Sequence, residues 1–171
     1  MAVFKIVPVG ANHSLRKKLN YILNPESTSP ELVFTSFLSA TEPYDEMMLV
    51  KRCYQSQNNE TLMYRQFMEF ILSLNDFESE RIGDFCRCVQ EVMDLISTLN
   101  GGAYQIIGAI HTNTDNLHAH MVLNNINMQN GKRFALPRDE LRNLKLKIND
   151  ILNEHDFEKI EMHGLNCVDS A

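Results

Sequence analysis

Three histidines fall within ten residues of one another, in the segment His111-Thr-Asn-Thr-Asp-Asn-Leu-His118-Ala-His120-Met-Val-Leu-Asn124. Residues two apart on a strand face the same way. His118 and His120 therefore project together, Ala119, Met121 and Leu123 turn to the core, and Asn124 falls on the histidine side. A hairpin connection over Thr112 to Leu117 returns His111 beside them. Three neutral imidazoles on one rigid face can hold a divalent metal and leave coordination positions open for substrate. Packing alone would have to find a partner for both nitrogens of each ring. A purely structural metal normally takes a fourth protein ligand, most often cysteine, and none of Cys53, Cys86, Cys88 and Cys167 stands at ligand spacing to the cluster. The pattern points to an open, catalytic site.

A second group with chemical potential is Tyr21. On a helix turning about 100° per residue, Leu15, Leu19, Ile22 and Leu23 share one side. Tyr21 lies off that stripe, and Lys17, four residues earlier, shares its face. A tyrosine used only for packing belongs within the stripe, whereas an outward phenol beside a cation is placed for chemistry, because positive charge favours the phenolate. Partly exposed packing tyrosines are common, so this residue alone leaves both readings open.

The elements that must carry these groups follow from hydrophobic periodicity. Val3 to Val9 reads as a strand. Ser14 caps a helix that Asn24-Pro25 ends. Leu32 to Leu38 reads as a strand, Glu42 to Gln57 as a helix, a polar loop surrounds Asn58-Asn59, and Leu62 to Leu74 reads as a strand. Asn75 with Glu78 suggests a capping box for a helix whose stripe is Ile82, Phe85, Val89, Val92, Ile96 and Leu99, stopped by Asn100-Gly101-Gly102. Tyr104 to His111 and Leu117 to Asn127 form the histidine hairpin, and Asn130-Gly131 marks a turn of the strand-joining kind. Leu141, Leu144, Ile148 and Ile151 stripe a last helix, Phe157 to Met162 reads as a short edge strand, and Cys167 to Ala171 as a frayed tail. The expected class is α+β, a central antiparallel sheet with helices packed on it.

At 171 residues the chain is expected to be a single domain spanning 1–171. Its apolar runs are too short to cross a bilayer, so no membrane insertion is expected. Four unevenly spaced cysteines read as reduced thiols, making the cytoplasm the expected location. A net charge of −6 argues against a protein whose main task is nonspecific grip on nucleic acid. Basic residues nevertheless cluster at Arg16, Lys17 and Lys18, at Lys132 and Arg133, and at Arg138 and Arg142, and these are the candidates for phosphate contact.

The segment from His111 to Asn125 resembles the third motif of conjugative relaxases, the mobilisation nucleases of MobA/VirD2-like type, and His118-Ala119-His120 fits the His-hydrophobe-His core of the wider HUH endonuclease superfamily. Leu19-Asn20-Tyr21-Ile22-Leu23-Asn24-Pro25-Glu26-Ser27-Thr28 is similar to the relaxase first motif, and Gly131-Lys132 adds a smaller match. The order of strands and helices agrees across nearly the whole chain. The resemblance implies a relaxase-type fold, with 1–171 read either as the whole protein or as the N-terminal part of a longer one. It also implies that Tyr21 attacks one phosphodiester of single-stranded DNA at the transfer origin of a plasmid or integrative element, leaving a 5′-phosphotyrosine and a free 3′-hydroxyl. Partners implied are that DNA, an accessory origin-binding protein and a type IV coupling protein. The metal implied is Mg2+ or Mn2+, with Zn2+, Ni2+ or Co2+ also acceptable to three imidazoles.

Three positions depart from the family pattern. Asn113 stands where aspartate is usual, so the acidic role passes to Asp115, or Asn113 keeps its hydrogen-bonding part without the charge. Glu69, in Glu69-Phe70-Ile71-Leu72-Ser73-Leu74, would occupy the histidine position of the second motif. It could act as base toward the tyrosine, steady the metal site from outside, or be a surface residue. Ser27 replaces a common lysine. Asn124 is a further candidate on the histidine face. Two rival readings stay open: a relaxase-derived DNA-binding protein without catalysis, and a three-histidine hydrolase that activates water and needs no tyrosine. A replication-type nicking enzyme is set aside, because Tyr21 precedes the histidine pair and no tyrosine follows Tyr104.

Overall fold

A computed structural model describes residues 1–10, 12–55, 66–74 and 78–162. The elements run β1 (Val3–Val7), α1 (Leu15–Ile22), β2 (Val33–Ser36), α2 (Pro43–Cys53), β3 (Phe67–Ser73), α3 (Ile82–Ser97), β4 (Ile106–His111), β5 (His118–Asn124) and α4 (Arg138–Glu154). All strand pairs are antiparallel, in the order β1-β3-β5-β4-β2. The expected class and element order both hold.

Strand alternation divides the sheet into two apolar faces. Phe70, Leu72, Ile106, Ile110, Ala119, Met121 and Leu123 meet Phe85, Val89, Val92 and Ile96 of α3 and Leu144, Ile148 and Leu152 of α4. On the other face Phe67, Ile107, Ala109 and Val122 meet Leu15, Leu19 and Ile22 of α1 and Met47 of α2. Central strands covered on both sides need near-continuous apolar runs, which is why Ile106 to Ile110 shows no polar alternation. Gly108 belongs to this packing: a Cβ there would stand 2.6 Å from Met93 Sδ, so its absence lets α3 close on β4.

Helix α1 spans eight residues, too few for an isolated helix. It is held by the Ser14 side chain, which accepts the Lys17 N–H, and by burial of Leu15, Leu19 and Ile22, each contributing about 1.5–3 kcal/mol on transfer from water. The chain then turns tightly, with the Ser27 and Thr28 amides both donating to the Asn24 carbonyl.

Several local expectations change. Helix α3 starts at Ile82, after a 3-10 turn over Glu78–Arg81, with Arg81 at its N-cap and no side-chain cap. The capping box needed Asn75, which lies outside the described residues, as do Asn58-Asn59, residues 62–65 of the third expected strand, and the tail from Cys167. Phe157 to Met162 is not a strand: it makes one parallel bridge, Ile160 to Ala2. The Asn130-Gly131 turn, with Gly131 at φ 72°, joins only the single bridge Ile126 to Arg133. Cys53, Cys86 and Cys88 are free.

Candidate active site

The imidazoles meet where β4 ends and β5 begins. His111 lies directly opposite His118 in the β4–β5 register, and His120 opposite Ala109. All three therefore point to the face that α1 covers. Ring centroids are 5.4 Å apart for His111 and His118, 4.7 Å for His111 and His120, and 5.2 Å for His118 and His120. One ligand nitrogen from each lies within 4.8 Å of the other two.

Each ring also gives one N–H to an oxygen. His111 Nε2 donates to the Ile22 carbonyl at 2.9 Å, His118 Nδ1 to the Asn116 carbonyl at 3.0 Å, and His120 Nδ1 to Glu69 Oε1 at 3.1 Å. That fixes the tautomer and leaves one lone pair per ring, the condition for ligating a metal. Burial pushes His111 below its usual range, the neighbouring His120 and His118 add to this, and the Ile22 carbonyl opposes it. A neutral His111 suits a ligand role. Three uncharged donors with a carboxylate outside them fit a divalent ion.

Tyr21 stands on the last turn of α1 with 53% of its surface exposed. Its ring meets His120 edge-on at 5.5 Å and His111 at 5.7 Å, centroid to centroid. Two cations stand near it: Lys18 Nζ lies 5.2 Å from the phenol ring, and the expected Lys17 borders the same hollow as Tyr21. Lys18 also donates to Glu69 Oε2 at 2.9 Å. Glu69 is 1% exposed, so the surface reading of this residue fails. It is a buried carboxylate that joins α1 to the histidine pair.

Of the other candidates, Asn124 lies away from the chemistry. Asn124 shares the histidine face but is fully buried, with its amide donating to the Met47 carbonyl and Gln105 Oε1. Val122, packed among the α1 and α2 contacts, separates it from His120. Asp115 is exposed in the loop. The loop's contacts to His118 come instead from Thr114 and Asn116.

The basic candidates divide. Arg16 and Lys17 are exposed on α1, Arg16 lying 3.8 Å over the Tyr44 ring and 4.0 Å from Asp45. Lys17, Lys18, Tyr21 and His13 border a hollow of 270 Å³. Arg138 and Arg142 belong to α4, which packs on the opposite face of the sheet. Lys132 and Arg133 lie past the far end of β5, about 20 Å along the strand from His118.

Sequence reasoning passed over the contacts that hold the first-motif turn against the histidine loop. Thr112 N–H donates to the Ser27 carbonyl at 2.9 Å, and Asn113 Nδ2 to Ser27 Oγ at 3.2 Å. The two unusual residues of the motifs thus bond each other. Their joint departure from the pattern was the available signal.

A family model, the nuclease domain of MobA/VirD2-like relaxases, matches residues 21–157. Solved structures of the MobM relaxase domain (MOBV; Mob_Pre) share the fold. One bound to 26-nucleotide pMV158 oriT DNA has 15% identity and a TM-score of 0.60, covering 99% of this chain and 95% of that one. A Mn-bound crystal structure with plasmid pMV158 oriT DNA carrying a 3′-thiophosphate has 13% identity and a TM-score of 0.62, over 99% and 94%. Another Mn-bound complex, with 23 nucleotides, has 16% identity and a TM-score of 0.58, over 99% and 92%. Comparison with curated protein sequences gives no match.

Proposed function

Because this chain belongs to the MobA/VirD2-like relaxase nuclease family, whose members are DNA-nicking enzymes, we propose that it nicks and rejoins one strand at a transfer origin through Tyr21. The observation that carries this reading is the half-exposed phenol standing edge-on over His111 and His120. Tyr21 Oη attacks the phosphorus, forming the tyrosyl–phosphate bond as the bond to the 3′-oxygen breaks; the phenol gives its proton to solvent, and the departing 3′-oxygen takes one up to become a free hydroxyl. The 5′-phosphotyrosine keeps the energy of the broken linkage, so reversal rejoins the strand.

His111, His118 and His120 would hold the divalent ion, and Mn2+ in the related MobM complexes supports that choice. Bound there, such an ion supplies Lewis-acid stabilisation of charge on the phosphate oxygens. Glu69 orients His120 and Lys18, accepting from each on a different oxygen. Lys17 and Lys18 contact phosphate beside the phenol, Arg16 does so further along α1, and Lys132, Arg133, Arg138 and Arg142 are remote from it. We take 1–171 as the nuclease domain, acting in the bacterial cytoplasm on single-stranded origin DNA, with an accessory origin-binding protein and a type IV coupling protein as partners. No helix among the described residues is long and apolar enough to cross a membrane.

Single-stranded origin-type DNA incubated with Mn2+ tests the proposal. The expected product is a protein–DNA adduct stable to denaturing electrophoresis, reduced on the order of a thousandfold or more in Tyr21→Phe. Cleavage that persists in Tyr21→Phe would identify a hydrolase. Binding without cleavage across candidate origins would identify the non-catalytic reading.

A further inference from the structure

A fourth histidine, His13, lines the same hollow as the phenol and takes no part in the chemistry above. It sits in a turn closed by two hydrogen bonds. The His13 amide donates to the Gly10 carbonyl at 3.1 Å, and the Gly10 amide donates to His13 Nδ1 at 2.8 Å. A backbone N–H can only donate, so Nδ1 supplies the lone pair and Nε2 carries the ring proton. That leaves Nε2–H as a donor with no partner among the described residues. The residue is exposed, and the hollow it shares with Tyr21 measures 270 Å³.

The walls of the hollow select its occupant. Lys17 and Lys18 bring positive charge, Asn12 brings a carboxamide, and no described residue that lines it is acidic. An anion fits these walls, and phosphate is the anion that a DNA strand carries. His13 supplies what the lysines do not. A lysine ammonium is a point charge on a flexible stem, able to follow a phosphate as the strand slides. The His13 donor is held in place by the Gly10 turn, so it favours one alignment. General-base catalysis is excluded for this ring, because Nδ1 is occupied and Nε2 already bears its proton.

Tyr21 lies two turns of α1 beyond the Ser14 cap, roughly 11 Å away along the helix. A phosphate at His13 is therefore a neighbour of the attacked one rather than the attacked one itself. We infer that His13 Nε2–H donates to a non-bridging oxygen of that neighbouring phosphate and so sets which linkage faces Tyr21. This deepens the DNA-nicking reading above and rests on it. Phosphate contacts carry no base information, but they fix how a nucleic acid is registered on a protein.

The test uses the full chain with isotope-labelled histidine, free of metal, as Tyr21→Phe so that the strand stays intact. Without DNA, the His13 nitrogen resonances should show Nδ1 unprotonated and Nε2 protonated. Single-stranded origin-type DNA should shift the Nε2 signal and its proton, and chloride at matched ionic strength should not. His13→Phe keeps a ring and removes the donor. It should bind that DNA about tenfold more weakly, the worth of one hydrogen bond to a charged group, with the log–log salt slope unchanged. With Tyr21 restored and Mn2+ present, His13→Phe should spread nicks over adjacent linkages where the wild type cuts one. A proton found on Nδ1, an Nε2 signal that DNA leaves unmoved, or nicks that stay at one linkage in His13→Phe overturn the inference. Should any of these occur while the wild type nicks origin DNA, only this inference falls. Should the Nε2 signal move while no DNA is ever nicked, the nicking reading falls and the phosphate contact stands.

Discussion

Glu69 gives one oxygen to each neighbour, Oε2 to Lys18 and Oε1 to His120. Burial pushes its carboxyl up, but the hydrogen bonds from His120 and Lys18, with the Lys18 charge, outweigh this and hold it below the usual carboxylate range. Its charge is therefore a fixed partner for the His120 N–H. Glu69→Gln should lower Mn2+ affinity about 10- to 100-fold by calorimetry; unchanged affinity would remove Glu69 from the metal site. The histidine cluster was legible because alternation within one hairpin is a local property. Glu69 was legible only as a motif position, since its burial depends on the β3–β5 register and on how α1 lies across the sheet. Ideal helical spacing chose Lys17 as the cation beside Tyr21, and the buried carboxylate adds Lys18, three residues back and also a neighbour on the helix surface. Asn124 shows the limit of parity: the face was right, the depth was not. Lys51 offers a separate test of burial. It is 3% exposed and donates to Asn125 Oδ1 at 2.7 Å and to the Gln66 carbonyl. Desolvation, with the nearby Arg133 charge, pushes it from 10.5 down to about 7. Between those values the unfolded chain binds a proton that the folded chain does not, so wild-type stability should rise with pH there. Against Lys51→Met in urea titrations, the wild type should gain on the order of a few kcal/mol from pH 7 to pH 10. A difference independent of pH would contradict the shift.

Helix α1 is the element on which the proposed nucleophile depends, and its own propensity does not sustain it. Leu19 is 3% exposed, two residues before Tyr21, and packs against the face that carries the imidazoles. Leu19→Ala should cost about 2–4 kcal/mol in denaturant melts and depress nicking more than Mn2+ binding, because the phenol loses its seat while the hairpin keeps the rings. Equal losses in both would mean that helix and hairpin move as one. Helical spacing and strand composition made every helix and strand of the sheet visible in order. What they did not show was where pairing stops. Phe157 to Met162 has strand composition, but only Ile160 makes a bridge, to Ala2 just before β1. At the start of α3 stand a 3-10 turn and Arg81 with no side-chain cap, while the suggested Asn75 cap lies outside the described residues.

Across the molecule, the sheet separates the basic residues into groups that cannot share one DNA path of short reach. Affinity for single-stranded DNA should fall with salt. Lys17→Ala and Arg16→Ala should each reduce the log–log slope by about 0.7, the value of one phosphate contact, whereas Arg138→Ala and Arg142→Ala should leave it unchanged. Fluorescence anisotropy at stepped ionic strength reads this directly, and an equal effect from the α4 pair would place DNA on both faces. Charge runs in the sequence could not make this division, because it arises from the strand order. The same order sets a timetable. The imidazoles come from adjacent arms of one hairpin, whereas His111 and its Ile22 partner are 89 positions apart, and His120 and Glu69 are 51 apart. Short loops close early in folding and distant pairings late. A nascent or partly denatured chain can thus gather its nitrogens before the phenol arrives, so reactivity is withheld until the long-range contacts are complete.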